Sequence, residues 1–393
     1  VLISPSGRAL VGYGLVSTCA RAVPLIALMG ASFLIPAAEF GALAGVVAAV
    51  TLCIGIAEGG LDSSASLLVG SGRPAPATLS SLLTLRLMVA ALLAVAVLPP
   101  LLLPLALPAT ATVLSLAAVA VVLSSIAATC RLRLRLESPA REMRVLAADR
   151  CVSAVPFLAG LVAGAELEAL ILLFLAGQAL GCLLTILVIR PPRAGRSLAR
   201  ELITHALPFV ASTVAANVTW RVGVIALGMK GAVEQAGYLA TAIYPVQALV
   251  LVSAGSAPLI LIGGRQGLSQ LVPRRRAVGL LVAATALAAT ATAAIGPLVA
   301  PGDAVWTLTV LLCVLPMALA NPLVGAGIRV HGHAGLVAGA AAAGATVAVL
   351  VSLTAELAAI NALGIVIAET VVLTVMLVLS ARHGSLRPVG AAS

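Results

Sequence analysis

Long apolar runs, broken by short polar segments, set the pattern of this chain. Twelve runs stand out, at residues 9–35, 40–69, 78–99, 107–130, 150–164, 168–189, 203–229, 236–263, 277–299, 304–328, 334–353 and 358–381. Most reach the roughly 20 residues that a helix needs to cross a bilayer. The run at 150–164 is the shortest. The runs are continuously apolar, without the polar–apolar alternation of membrane barrel strands. Lipid offers no partner to a free backbone N–H or C=O, so continuous runs of this length must close their hydrogen bonds internally, as helices. The pattern predicts an all-α integral membrane protein of twelve transmembrane helices.

Composition agrees. Hydrophobic residues make up 62% of the 393 and charged residues 9%, with a mean hydropathy of +1.19. A soluble domain carries about 25% charged residues, so a folded soluble domain is excluded. The net charge of +10 would suggest nucleic acid if it were clustered on one surface, but its placement says otherwise. Of 23 basic residues, 19 fall in the terminal or even-numbered loops, Lys230 alone falls in an odd-numbered loop, and Arg21, Arg86 and Arg221 fall inside spans. The acids Glu39, Glu166, Glu168, Glu234, Asp303 and Glu356 take the odd-numbered loops. The positive-inside rule then predicts both termini in the cytoplasm, and the expected location is the plasma (inner) membrane. The six cysteines form no C-x-x-C pair, so neither a disulfide framework nor a zinc site is expected. His331-Gly332-His333 lacks further nearby ligands, and neither a metal nor a cofactor is expected.

The chain divides into two halves of six helices, 1–190 and 202–393, joined by a basic cytoplasmic linker at 191–201. The halves echo each other. Arg21 in the first helix precedes a turn with Glu39-Phe40-Gly41; Arg221 in the seventh precedes a turn with Glu234-Gln235-Ala236-Gly237-Tyr238. The basic segment after the fourth helix, Arg131 to Arg144, has its counterpart after the tenth, around Arg329. Such repeats are common in secondary transporters.

These landmarks carry a resemblance. Glu39-Phe40-Gly41 followed by Glu58-Gly59-Gly60-Leu61, then Leu207-Pro208 with Arg221 and Glu234-x-x-Gly237-Tyr238, then Arg329 to Gly332, follow one another as in the polysaccharide flippase (Wzx-type) branch of the multidrug/oligosaccharidyl-lipid/polysaccharide exporter superfamily. The chain resembles that branch over most of its length. It departs from it where Gly223 and Val224 stand in place of an Asp-Arg pair, and residues 9–35 lack the acid usual in cation-coupled multidrug members. The resemblance implies two pseudo-symmetric six-helix bundles around a central cavity, and alternating access. It also implies a cargo: a lipid-linked glycan of polyprenyl-pyrophosphate type, moved from the inner to the outer leaflet. H+ or Na+ is the expected coupling ion.

The polar residues inside spans are the candidate site. Tyr13, Ser17 and Arg21 recur every four residues and share one helix face; Thr213, Asn217 and Arg221 do the same in the second half. Two polar stripes that end in arginine suit an anionic head group, because the guanidinium is a planar fork matched to phosphate. Arg86, Tyr244 and Gln247 are further candidates for substrate contact. Glu58 and Asp62, one turn apart beside two glycines, are candidates for a gate or a salt-bridge partner at the cytoplasmic mouth. Glu369, near the middle of the twelfth span, either takes up a proton or balances an arginine; an acid there is costly and usually functional. Two other functions remain open. One is a cation-coupled multidrug antiporter of the same fold. The other is a membrane-embedded glycan polymerase or glycosyltransferase, although the loops here are too short to hold a paired catalytic pattern.

Overall fold

The computed structural model describes residues 7–105, 110–251, 302–330 and 332–382, with only the backbone for 7–15, 17, 302, 330 and 380–382. The predicted ninth span and the second half of the eighth lie outside the described residues. The first half contains α1 (Gly7–Leu34), α2 (Ala37–Glu58), α3 (Leu61–Gly70), α4 (Ala75–Leu92), α5 (Leu98–Leu102), α6 (Thr110–Glu137), α7 (Pro139–Val162) and α8 (Leu167–Ile189). The second contains α9 (Ala199–Met229), α10 (233–251), α11 (Gly302–Leu312), α12 (Leu315–Val330), α13 (Ala334–Thr354) and α14 (Ala358–Arg382). Among the described residues nine helical stretches are long and apolar enough to cross a membrane, and the protein is a multi-pass membrane protein.

The two halves are built alike. In the first, α7 packs on α1 and α8, and α6 packs on α8. In the second, α13 packs on α9 and α14, and α11 packs on α14. The same neighbours recur at equivalent positions, which is the physical content of the sequence echo. The halves meet where α2 and α3 run along α9.

Several boundaries differ from those predicted, each for a local reason. α2 and α3 form one interrupted span. The break falls at Gly59-Gly60, where Gly60 takes a left-handed φ of 67° that suits glycine. A Cβ at Gly60 would also collide with the Phe209 carbonyl group on α9. α4 continues through a π-turn at Leu93–Val97 into α5. Pro99 and Pro100 fall in the first turn of α5, where a missing N–H costs least. The predicted tenth span breaks at Cys313-Val314; Pro316, lacking an N–H, cannot bond the Leu312 carbonyl. α9 begins at Ala199, four residues ahead of the predicted seventh span.

The largest correction concerns 131–150. By charge pattern this stretch is a basic loop, with the fifth span starting at 150. The structure shows α6 running to Glu137 and α7 starting at Pro139, with Ser138 between them. This hairpin brings opposite charges together. Arg131 Nη1 lies 2.6 Å from Asp149 Oδ2, and Arg135 Nη2 lies 2.8 Å from Glu142 Oε1. All four side chains are buried. These arginines look like solvated loop charges in the sequence because their partners lie across a helical hairpin.

The linker ahead of α9 is fastened to α4. Thr84 Oγ1 donates to the Gly195 carbonyl at 2.8 Å, and the Leu198 N–H donates to Ser81 Oγ at 3.0 Å. Arg73 and Glu201 form an ion pair at 2.8 Å beside it.

Candidate functional site: a cationic cavity between the two halves

A cavity of about 660 Å³ lies between the halves. Helices α1, α2, α3, α7 and α8 wall it on one side, and α9, α10, α12, α13 and α14 on the other. Among the described residues four arginines line it: Arg21 on α1, Arg150 on α7, Arg221 on α9 and Arg329 on α12. The one acid among those lining residues is Glu369 on α14.

Among the described residues no ion pair involves Arg150, Arg221 or Arg329. Neutral groups hold them instead. Arg221 Nε donates to Thr51 Oγ1 at 2.8 Å, across the seam between α9 and α2. Arg329 Nη2 donates to Ser212 Oγ at 2.6 Å, and its guanidinium lies 5.4 Å from the Phe209 ring centroid. Arg150 Nη1 donates to Gln178 Oε1 at 3.4 Å. The Nε atoms of Arg150 and Arg329 are buried with no hydrogen-bond partner among the described residues. An arginine facing lipid at mid-membrane costs about 2.5–3.5 kcal/mol on insertion scales; these line the space between the halves instead. Guanidinium groups are donors suited to an anion.

Glu369 is held by neutral donors. Its Oε1 accepts a hydrogen bond from Trp220 Nε1 at 2.8 Å, and its Oε2 accepts one from Asn321 Nδ2. Among the described residues no arginine pairs with it. Among the described residues Glu369 is thus a buried carboxylate between two neutral donors.

The other candidates divide. Asn217, Tyr244 and Gln247 line the cavity, with the Asn217 amide donating to the Thr213 carbonyl at 2.8 Å. Tyr13 and Ser17 fall where side chains lie outside the described residues. Arg86 does not line the cavity. It is fully buried, with Nη2 against Asp62 Oδ1 and Nη1 donating to Thr129 Oγ1 at 3.1 Å. Its place in the sequence suggests a substrate contact; its partners make it a brace between α3, α4 and α6.

Glu58 and Asp62 line a second, smaller pocket of about 210 Å³ with Arg21, Arg131, Arg135 and Arg150. Glu58 Oε1 accepts from Ser124 Oγ at 2.8 Å and stands 3.6 Å from Arg131. Arg21 and Arg150 line both spaces, so this polar pocket adjoins the main cavity.

Arg150, Thr51 and Asn321 line the cavity without any mark in the sequence pattern, and Arg329, marked there only as part of a basic segment, lines it too. The two arginines read as loop charges there. Nothing in their local sequence identifies them as inward-facing.

No protein-family model matches the sequence, and no curated protein does. Solved structures do match the fold. The lipid II flippase MurJ in an inward closed conformation superposes with a TM-score of 0.70 at 12% identity, covering 94% of this chain and 87% of that one. The eukaryotic MATE transporter AtDTX14 gives 0.65 at 12% identity, covering 96% and 94%. The MATE multidrug transporter DinF-BH gives 0.64 at 14% identity, covering 97% of each chain. The protein therefore has the two-lobed helical membrane fold found in flippases and multidrug transporters. At these identities the likeness is one of fold.

Proposed function

We propose that the protein moves a lipid-linked oligosaccharide or polysaccharide precursor from the inner to the outer leaflet by alternating access. The polyprenyl-pyrophosphate head is the anion that the cavity receives, with H+ or Na+ as coupling ion. One observation carries this reading: four arginines and one carboxylate line the space between the halves among the described residues. Arg21 and Arg221 hold the head group, Asn217, Tyr244 and Gln247 meet the sugars, and the lipid tail stays in the bilayer. The wall combines these polar groups with apolar residues such as Leu25, Leu28 and Val47, which suits an amphipathic cargo.

Multidrug antiport is the second reading, favoured by the equally extensive fold likeness to MATE transporters. An organic cation would meet an excess of guanidinium groups here, which argues for the anionic cargo. A deletion strain separates the two. Glycan retained on the inner leaflet, restored to the surface by the cloned gene, supports the flippase. Drug sensitivity with normal surface glycan overturns it in favour of the antiporter.

A further inference from the structure

Two glycines from opposite halves meet near Glu39 and Glu234. Gly41 stands in the second turn of α2 and Gly237 in the second turn of α10, each the second span of its half. Their contact is reciprocal. A Cβ on Gly41 would overlap the Val233 carbonyl oxygen and lie 2.9 Å from the Gly237 nitrogen. A Cβ on Gly237 would overlap the Ala37 carbonyl oxygen and lie 3.2 Å from the Gly41 nitrogen. Val233 and Ala37 each precede the facing glycine by four residues, so the same backbone atoms oppose each other on both sides. A local two-fold axis passes between the glycines, and only a hydrogen fits at either Cα.

This crossing lies next to the cavity. Val47 and Ala48 on α2 and Ala240 on α10 line the space just beyond it, one to two helical turns away at about 1.5 Å per residue. Beside the crossing, the Phe40 and Tyr244 rings meet edge to face at 6.1 Å, one from each half. Among the described residues no side-chain hydrogen bond or ion pair joins the halves at Gly41 and Gly237. Glu39 and Glu234, both exposed, add like charge from the two sides. A contact of backbone on backbone, without polar ties, can separate and re-form without leaving a buried donor unmade.

We infer that the Gly41–Gly237 crossing is the gate at this end of the cleft, closed here and parted when the cavity opens to that side. The inference rests on alternating access but not on the identity of the cargo. Spin labels at Glu39→Cys and Glu234→Cys, in the full chain with its native cysteines replaced by alanine, test it in lipid nanodiscs without cargo. The parent should give two distance populations, one short and one longer. Gly41→Ala and Gly237→Ala should each move the distribution toward the longer one. Gly30→Ala, where an added Cβ meets nothing within 4 Å, should leave it unchanged. One short distance in the parent, unmoved by Gly41→Ala, would overturn the gate. If the alanine variants do not reach the membrane, the parent decides: a single narrow short peak counts against it. Because no cargo is present, a failed glycan assay and a failed gate remain distinct results.

Discussion

Arg221 on α9 reaches across the seam between the halves and donates its Nε–H to Thr51 Oγ1 on α2 at 2.8 Å. This bond orients the guanidinium while leaving its terminal nitrogens to the cavity. The partner is neutral, so the charge is held in place without being neutralised.

Arg221→Ala should therefore block export while the protein still reaches the membrane. A charge-assisted hydrogen bond is worth about 1.5–3 kcal/mol, or roughly a tenfold to hundredfold loss. Arg221→Lys should be intermediate, because lysine keeps the charge and loses the fork. Thr51→Val should cost less than Arg221→Ala, since only the orienting bond is lost. Surface glycan at matched expression is the measurement. Normal export in an Arg21→Ala/Arg221→Ala double variant would remove both from the site.

Glu369→Gln should fold and lose any dependence of transport on a pH gradient. The neighbours allow the amide. Asn321 Oδ1 is buried without a partner among the described residues, so the Asn321 side chain can turn over and accept from the new NH₂ while Trp220 continues to donate to the oxygen, at the loss of the 3.1 Å bond from Asn321 Nδ2 to the Glu369 carbonyl. Transport by proteoliposomes with and without an imposed gradient reads the coupling. A variant that keeps the gradient dependence would rule out a proton role for this carboxylate.

Asp149→Ala should unfold the protein rather than impair a site. Asp149 is fully buried, pairs with Arg131 at 2.6 Å and accepts from Thr185 Oγ1 at 3.1 Å. Removing one partner of a buried pair costs about 3–5 kcal/mol, here lessened by Glu58, which stays 3.6 Å from Arg131. Arg86→Ala should behave alike, with loss of folded protein and no selective loss of transport. Thermal stability in detergent, followed by size-exclusion elution, is the measurement. A stable, inactive Arg86→Ala protein would return Arg86 to the candidate site.

Ala140→Cys, exposed at the start of α7, should react with a membrane-impermeant maleimide only from the cytoplasmic side, in a background lacking native cysteines. Ready labelling in intact cells would reverse the orientation drawn from the basic residues.

The sequence alone determined the class of protein, the approximate places of the described spans and the repeat of one half in the other. Run length and continuous apolarity carry that information directly, because a bilayer fixes the length of a helix and forbids unpaired backbone. It also placed Arg21 and Arg221 at equivalent positions, since their spacing within each half is a property of the chain. Only the tertiary structure decided which arginines share a space. Arg86 and Arg221 both look like isolated charges inside apolar helices, yet one is paired with Asp62 and the other opens onto the cavity. Arg150 and Arg329 read as loop charges and stand in the cavity wall. The reason is physical. In a membrane protein, lipid tails are as apolar as the protein interior, so the hydrophobic pattern that marks the inward face of a soluble helix is missing. Which way a residue faces is then set by the neighbouring helices: by Asp149 across a hairpin from Arg131, by Thr51 across the seam from Arg221, and by two glycines that meet only when the halves come together.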